Sequence, residues 1–161
     1  MITVVLPTHN SAAPLVQVLT LLVPAAMDGL VKTVVFADAG STDATLDIAE
    51  DSGAWVVTVQ GDAGTRLAAG CAVAKGTWIL ALGEDLALPE TWRVHVEAHL
   101  AGGGGKPAFI AAPGLLGLAG RPLAVLASRE AIAVAGDVKP GADPLKALLG
   151  RLKPKAVRLR V

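Results

Sequence analysis

Asp38, Glu84 and Asp85 are the residues with the clearest chemical potential, because each lies where an apolar run gives way to a polar loop. Asp38 ends the run Val34-Val35-Phe36-Ala37 and is followed by Ala39-Gly40-Ser41-Thr42-Asp43-Ala44-Thr45. Glu84 and Asp85 follow Trp78-Ile79-Leu80-Ala81-Leu82-Gly83. A third junction runs from Ile2-Thr3-Val4-Val5-Leu6 into Pro7-Thr8-His9-Asn10. A carboxylate such as Asp38 accepts a hydrogen bond from a base N–H, and the hydroxyls of Thr8 and Ser41 belong to the same polar set. Neighbouring carboxylates such as Glu84 and Asp85 can hold a divalent cation between protein and diphosphate. Singly, each piece is also what a turn and a helix cap look like. Together they suit a nucleotide.

Such residues act together only if the elements before them end on one side of a sheet. Residues 2–6 form a continuous apolar β run, as in a strand covered on both faces. Asn10 or Ser11 then caps a helix with Leu15, Val18, Leu19 and Leu22 as its buried stripe, ended by Pro24. Residues 31–37 make a second strand, after which Ser41 caps a helix presenting Thr45, Ile48, Ala49 and Ser52, with Gly53 as its stop. A strand at 54–59, a turn at 61–64, a helix at 65–75, a strand at 78–82 and a helix from Pro89 to Leu100 complete the pattern. This alternation predicts an α/β domain with a mainly parallel sheet, which binds its ligands beyond the carboxyl ends of the strands. After the glycine run 102–105 the pattern weakens. Short strands are expected at 108–112 and 123–128, a helix at 143–152 and an edge strand at 156–161.

The chain has 161 residues, enough for one domain with a real core. Its formal net charge is zero, which argues against a nucleic-acid binder that relies on a basic field. Six of the 14 basic residues nevertheless fall in 145–161: Lys146, Arg151, Lys153, Lys155, Arg158 and Arg160. A solvated tail is the plain reading of that segment, and peripheral contact with an anionic membrane or a diphosphate is the other. The single Cys71 excludes an intramolecular disulfide and fits a small buried hydrophobe. Met1 leads straight into a strand with no basic leader, and Pro113, Arg121 and Pro122 break the apolar stretch 108–127. A cytoplasmic protein without a transmembrane segment is expected.

The motifs as an ordered set resemble those of the family 2 glycosyltransferases. Pro7-Thr8-His9-Asn10 is similar to that family's first-strand signature, and 37–45 resembles its V-D-D-G-S-T-D-G-T, with Asp38 on the first Asp and Ala39 on the second. Gly70-Cys71-Ala72-Val73-Ala74-Lys75-Gly76 resembles the G-x-x-x-A-x-G segment, and Gly83-Glu84-Asp85 falls on D-x-D. The likeness covers residues 1–100 well. It implies a compact, Rossmann-like GT-A fold of three layers with a mostly parallel central sheet. It also implies a single domain over 1–161, divided into a nucleotide-sugar-binding half (1–100) and a shortened acceptor-side half (101–161). The implied activity is transfer of a sugar from a nucleotide-diphosphate sugar to an unknown acceptor, with Mg²⁺ or Mn²⁺. Pro7, Thr8 and Asp38 would hold the base, Ser41 and Arg66 would lie near ribose or phosphate, and Asn10 and Gly40 would belong to the same nucleotide site. Asp85 with Glu84 would take the metal. Arg129 to Gly136 resembles a segment near the acceptor site, and 141–145 falls where the family carries E-D-x-x-L. That would make Asp143 the general base.

The departures from the family pattern motivate a second reading. Gly83 replaces the first carboxylate of D-x-D, Ala142 replaces one acid of E-D, and Ala68 stands where an Asn is common. A glycosyltransferase-like protein that no longer catalyses, and binds a nucleotide or a partner, would carry such changes. Other motifs point elsewhere less well. His95 and His99 have metal-ligand spacing but flank the stripe Trp92, Val96, Leu100 as helix histidines would. Gly61-Asp62-Ala63-Gly64-Thr65-Arg66 is similar to the phosphate loop of sugar nucleotidyltransferases, but follows the third strand instead of the first. No G-x-G-x-x-G follows the first strand, and no Ser or Cys sits in a nucleophile elbow.

Overall fold

A computed structural model describes residues 1–103, 105–115, 118–136, 143–152 and 156–160. The chain runs β1 (Ile2–Thr8), α1 (Ala12–Met27), β2 (Val31–Asp38), α2 (Thr45–Asp51), β3 (Trp55–Thr58), α3 (Ala63–Val73) and β4 (Trp78–Leu82). It continues through α4 (Trp92–Ala101), β5 (Ala108–Pro113), β6 (Ala119–Ser128), α5 (Arg129–Ala135), α6 (Pro144–Leu152) and β7 (Val157–Leu159). The seven strands form one sheet in the order β3-β2-β1-β4-β6-β5-β7. β1 pairs in parallel with β2 and β4, β2 with β3, and β5 with β7. β6 runs antiparallel to both its neighbours. The expected mostly parallel α/β sheet is therefore present, with one reversed strand in its second half.

Every position of β1 is buried, as its unbroken apolar run requires of a strand with layers on both sides. Ile2, Val4 and Leu6 face a cluster with Leu15, Val18 and Leu22 of α1, Ala49 of α2, and Trp92 and Val96 of α4. Val5 faces the opposite cluster, with Leu67 and Cys71 of α3 and Leu145, Leu148, Leu149 and Leu152 of α6. Three layers result. Cys71 is buried as expected, and burial pushes its thiol up to about 12. No helix among the described residues is long and apolar enough to cross a membrane.

Several element boundaries differ from the expected ones, each for a local reason. α1 does not stop at Pro24. That proline stands in the last turn and forgoes one N–H, while its carbonyl still accepts from Asp28 N–H at 3.2 Å. α2 is not capped by Ser41; it begins at Thr45, whose N–H donates to Asp43 Oδ1 at 3.0 Å. α3 starts at Ala63, two residues earlier than expected, because Asp62 is its N-cap and accepts from Thr65 N–H at 2.9 Å. α4 starts only at Trp92, with the Pro89 carbonyl accepting its N–H at 3.0 Å.

Candidate functional site

The parallel register of β1 and β2 sets Thr8 beside Asp38 at the carboxyl ends of the two strands. Asp38 is fully buried, and four donors from the protein surround its carboxylate. Oδ1 accepts from the amides of Gly40 (2.8 Å) and Ser41 (2.7 Å). Oδ2 accepts from the hydroxyls of Thr8 (2.8 Å) and Ser41 (2.6 Å). Burial by itself would raise the Asp38 pKa, but the bonds from Ser41, Thr8 and Gly40 outweigh it and hold the carboxyl below its ordinary value. Ser41 Oγ also accepts from Asn10 N–H at 2.8 Å, and Asn10 Oδ1 accepts from Thr42 N–H at 2.8 Å. Asn10 sits at φ 50°, and Gly40 at φ 85°, where glycine carries no Cβ penalty.

Thr8, Asn10, Asp38, Gly40 and Ser41 are thus brought together as the sequence suggests, with Pro7 buried beneath them. The polar groups of Thr8, Asp38 and Ser41 are, however, spent on one another. Asp38 can accept from a base only if one of these donors lets go, and the freely rotating hydroxyl of Ser41 is the easiest to release. The surface this frame offers is that of the exposed His9, Asn10 and Gly40.

The second part of the site lies beyond the end of β4. A cavity of about 450 Å³ is lined there by Asp62, Ala63, Gly83, Glu84, Asp85, Arg121, Pro122, Asp143, Pro144 and Leu145. β6 delivers Arg121 to it, because the antiparallel pairing with β4 brings the start of β6 to the carboxyl end of β4, where Gly83 N–H donates to the Leu123 carbonyl at 3.2 Å. Both carboxylates expected to hold metal are paired with arginines: Glu84 with Arg66, and Asp85 with Arg121. Arg66 is buried, its Nη1 lies 3.5 Å from the Gly61 carbonyl, and its Nε has no partner among the described residues. Asp143 caps α6, its Oδ1 accepting from the amides of Leu145 and Lys146 at 3.1 Å each, while Oδ2 lies 3.6 Å from Lys146 Nζ. Gly141 and Ala142 lie outside the described residues.

The donor set bears on whether a divalent cation fits. Asp85 and Glu84 offer hard carboxylate oxygens of the kind Mg²⁺ and Mn²⁺ prefer. Among the described residues no group of three His, Cys, Asp or Glu is placed to hold a metal. Two carboxylates suffice for a cation that takes its remaining ligands from a diphosphate and water, so the residues fit a metal that arrives with nucleotide. His99 is engaged elsewhere, its Nε2 lying 2.9 Å from the Lys106 carbonyl. In the basic carboxyl-terminal segment Arg151 donates to the Ala135 carbonyl at 2.6 Å, and Lys153 and Lys155 lie outside the described residues. Arg121 and Asp62 also line the cavity, though neither is among the site residues expected from the sequence. A capping pattern could have exposed Asp62, whereas nothing local marks Arg121.

Residues 3–103 match the family model described as Glycosyl transferase family 2. No curated protein sequence matches the chain. Among solved structures, the chain resembles glucosyl-3-phosphoglycerate synthase from Mycobacterium tuberculosis in complex with uridine diphosphate. The TM-score is 0.76 at 25% identity, over 100% of this chain and 71% of that one. Another structure of that synthase, with Mn²⁺, uridine-diphosphate-glucose and phosphoglyceric acid, gives a TM-score of 0.72 at 23% identity, over 99% and 70% of the two chains. The structural likeness runs past residue 103 and includes the elements that carry Arg121 and Asp143.

Proposed function

This chain belongs to glycosyl transferase family 2, and from that premise we propose that it transfers a sugar from a uridine-diphosphate sugar to an acceptor bound beside Asp143. One observation carries the reading: a single cavity gathers Glu84 and Asp85, from the segment after β4, with Asp143, from the segment before α6. Residues 1–100 would supply the nucleotide half of a single domain, and 101–161 the acceptor half. The base would lie on the β1–β2 loop frame, against His9, Asn10 and Gly40, with Asp38 accepting its N–H once Ser41 turns away. Ser41 and Arg66 would face ribose and phosphate, Arg66 as a cation fixed by burial. Asp85, assisted by Glu84, would hold Mg²⁺ or Mn²⁺. When bound, that cation neutralises charge developing on the departing diphosphate. Asp143, with Oδ1 committed to the α6 amides and Oδ2 beside the exposed Lys146 ammonium, would take a proton from an acceptor hydroxyl on Oδ2. The choice of uridine is supported by the similar synthase having been solved with uridine diphosphate.

A specific observation favours a second reading, in which the donor site binds nucleotide without transfer. Gly83 removes one carboxylate, and arginines neutralise the two that remain. Calorimetric titration of UDP and GDP, with and without Mn²⁺, tests the donor site. The expected result is UDP binding that strengthens with Mn²⁺ and loses this metal dependence in Asp85→Asn. Flat titrations for both nucleotides under both conditions would refute the donor site. UDP binding without hydrolysis or transfer of UDP-sugar would favour the second reading.

A further inference from the structure

We propose that Arg121 is an internal counter-ion that holds the cation's place on Asp85 until metal and diphosphate arrive together. The inference rests on the donor site proposed above and deepens it. Two arginine–carboxylate pairs line that region, and their exposures are opposite. In Arg66–Glu84 the side chains are 6% and 59% exposed, so the guanidinium is fixed and the carboxylate reaches out to it. In Arg121–Asp85 they are 56% and 33% exposed, so the carboxylate is the sheltered partner and the arginine the one free to leave. Ion pairs this exposed are weak, and a divalent cation with twice the charge can displace one.

Gly83 contributes room. A Cβ at that position would stand 3.0 Å from Asp85 Oδ1. Glycine therefore lets the Asp85 carboxylate lie back along the chain while Oδ2 meets Arg121. The residue that replaces the missing D-x-D carboxylate thus also accommodates the substitute cation. A free metal ion then meets a site with two carboxylates, both already paired, and must compete with Arg121 for the better sheltered one. A diphosphate changes that balance twice. It brings ligands for the metal, and it offers negative charge to the guanidinium released on the rim of the same cavity. Metal and nucleotide binding are coupled through Arg121, and linkage requires the coupling to be the same whichever ligand binds first.

The test is titration of Mn²⁺ into the whole protein, reading unbound Mn²⁺ by electron paramagnetic resonance, without and with saturating UDP, for wild type, Arg121→Gln and Asp85→Asn. Arg121→Gln is expected to bind Mn²⁺ alone roughly two- to fivefold more tightly than wild type, the scale of an exposed ion pair. The factor by which UDP tightens Mn²⁺ binding is expected to fall in the same variant, and Asp85→Asn is expected to lose the UDP effect. If Arg121→Gln binds Mn²⁺ no better than wild type while UDP still tightens Mn²⁺ in both, the counter-ion role is wrong and the donor site stands. If Asp85→Asn keeps full UDP-dependent Mn²⁺ binding, the metal lies elsewhere and the proposal fails. If no form binds Mn²⁺ even with UDP, the donor site and the proposal fall together.

Discussion

Asp38 ends β2 wholly buried, with its carboxylate engaged inside the protein. Its four internal hydrogen bonds hold the loops after β1 and β2 in one arrangement. Removing the carboxylate with Asp38→Ala leaves two amides and two hydroxyls without their acceptor, and a buried unsatisfied group costs about 1–3 kcal/mol. Since the hydroxyls can turn to other partners, the expected loss is about 3 kcal/mol in urea unfolding, and less for Asp38→Asn, whose oxygen still serves the amides. The pH dependence has a definite sign. The native carboxyl lies below its ordinary 3.8, so the unfolded chain binds its proton first as the solution is acidified. The stability it supplies is complete above the unfolded value and is lost as pH falls through the lower native one. The advantage of wild type over Asp38→Asn should therefore be constant near neutrality and shrink below about pH 4; a gap that persists unchanged to pH 2 would contradict the bonding described. The motif around Asp38 was legible because apolar run, carboxylate, glycine and serine are contiguous. Arg121 was not, because it stands 36 residues from Asp85 and reaches it only through the antiparallel register of β6.

At the scale of elements, α3 links the sheet to the cavity, since its N-cap Asp62 and first residue Ala63 line the cavity and the helix packs on β1 and β2. That close approach depends on Gly70, where a Cβ would stand 2.5 Å from Val5 Cγ1 and 3.2 Å from Ala37 Cβ. Gly150 in α6 has nothing within 4 Å of the same position. Propensity alone treats the two glycines alike, since alanine is the better helix former by about 1 kcal/mol. Packing separates them. Gly70→Ala is expected to destabilise by about 1–3 kcal/mol through overpacking, and Gly150→Ala to stabilise by about 0.5–1 kcal/mol. Urea midpoints for both variants check this, and a gain at Gly70 would mean that α3 does not lie against the sheet as described. The strands were legible for a related reason: β4 matches its expected bounds because a fully covered strand reads as an apolar run with polar ends. The helix starts were harder to read. Ser41 and Asp62 both look like caps, but Ser41 Oγ is taken up by Asp38 three residues before it and by the Asn10 amide of the loop after β1, so only Asp62 caps a helix.

For the whole molecule, the sheet order sets how far ligand binding is felt. β4 lies between β1, whose loop would take the base in the proposed reading, and β6, which brings Arg121 from the second half of the chain. The second half was the less legible part, because a reversed strand and short elements give no βα alternation to follow. A cavity lined from both halves ties a ligand bound there to the full domain instead of to residues 1–100 alone. A ligand at about 100 times its dissociation constant stabilises by about 2.7 kcal/mol. In a chain of this size each kcal/mol moves the melting midpoint by about 2–4 °C. UDP with Mn²⁺ should therefore raise a single cooperative transition by about 5–10 °C. Mn²⁺ alone should do little, and Asp85→Asn should lose only the metal-dependent part of the rise. Differential scanning calorimetry distinguishes the alternatives. If the melt splits and only one step moves with ligand, residues 1–100 carry the proposed site by themselves, and Arg121 and Asp143 have no share in it. One transition that moves as a unit is what the proposed donor site requires, since its cavity is lined by residues before and after residue 103.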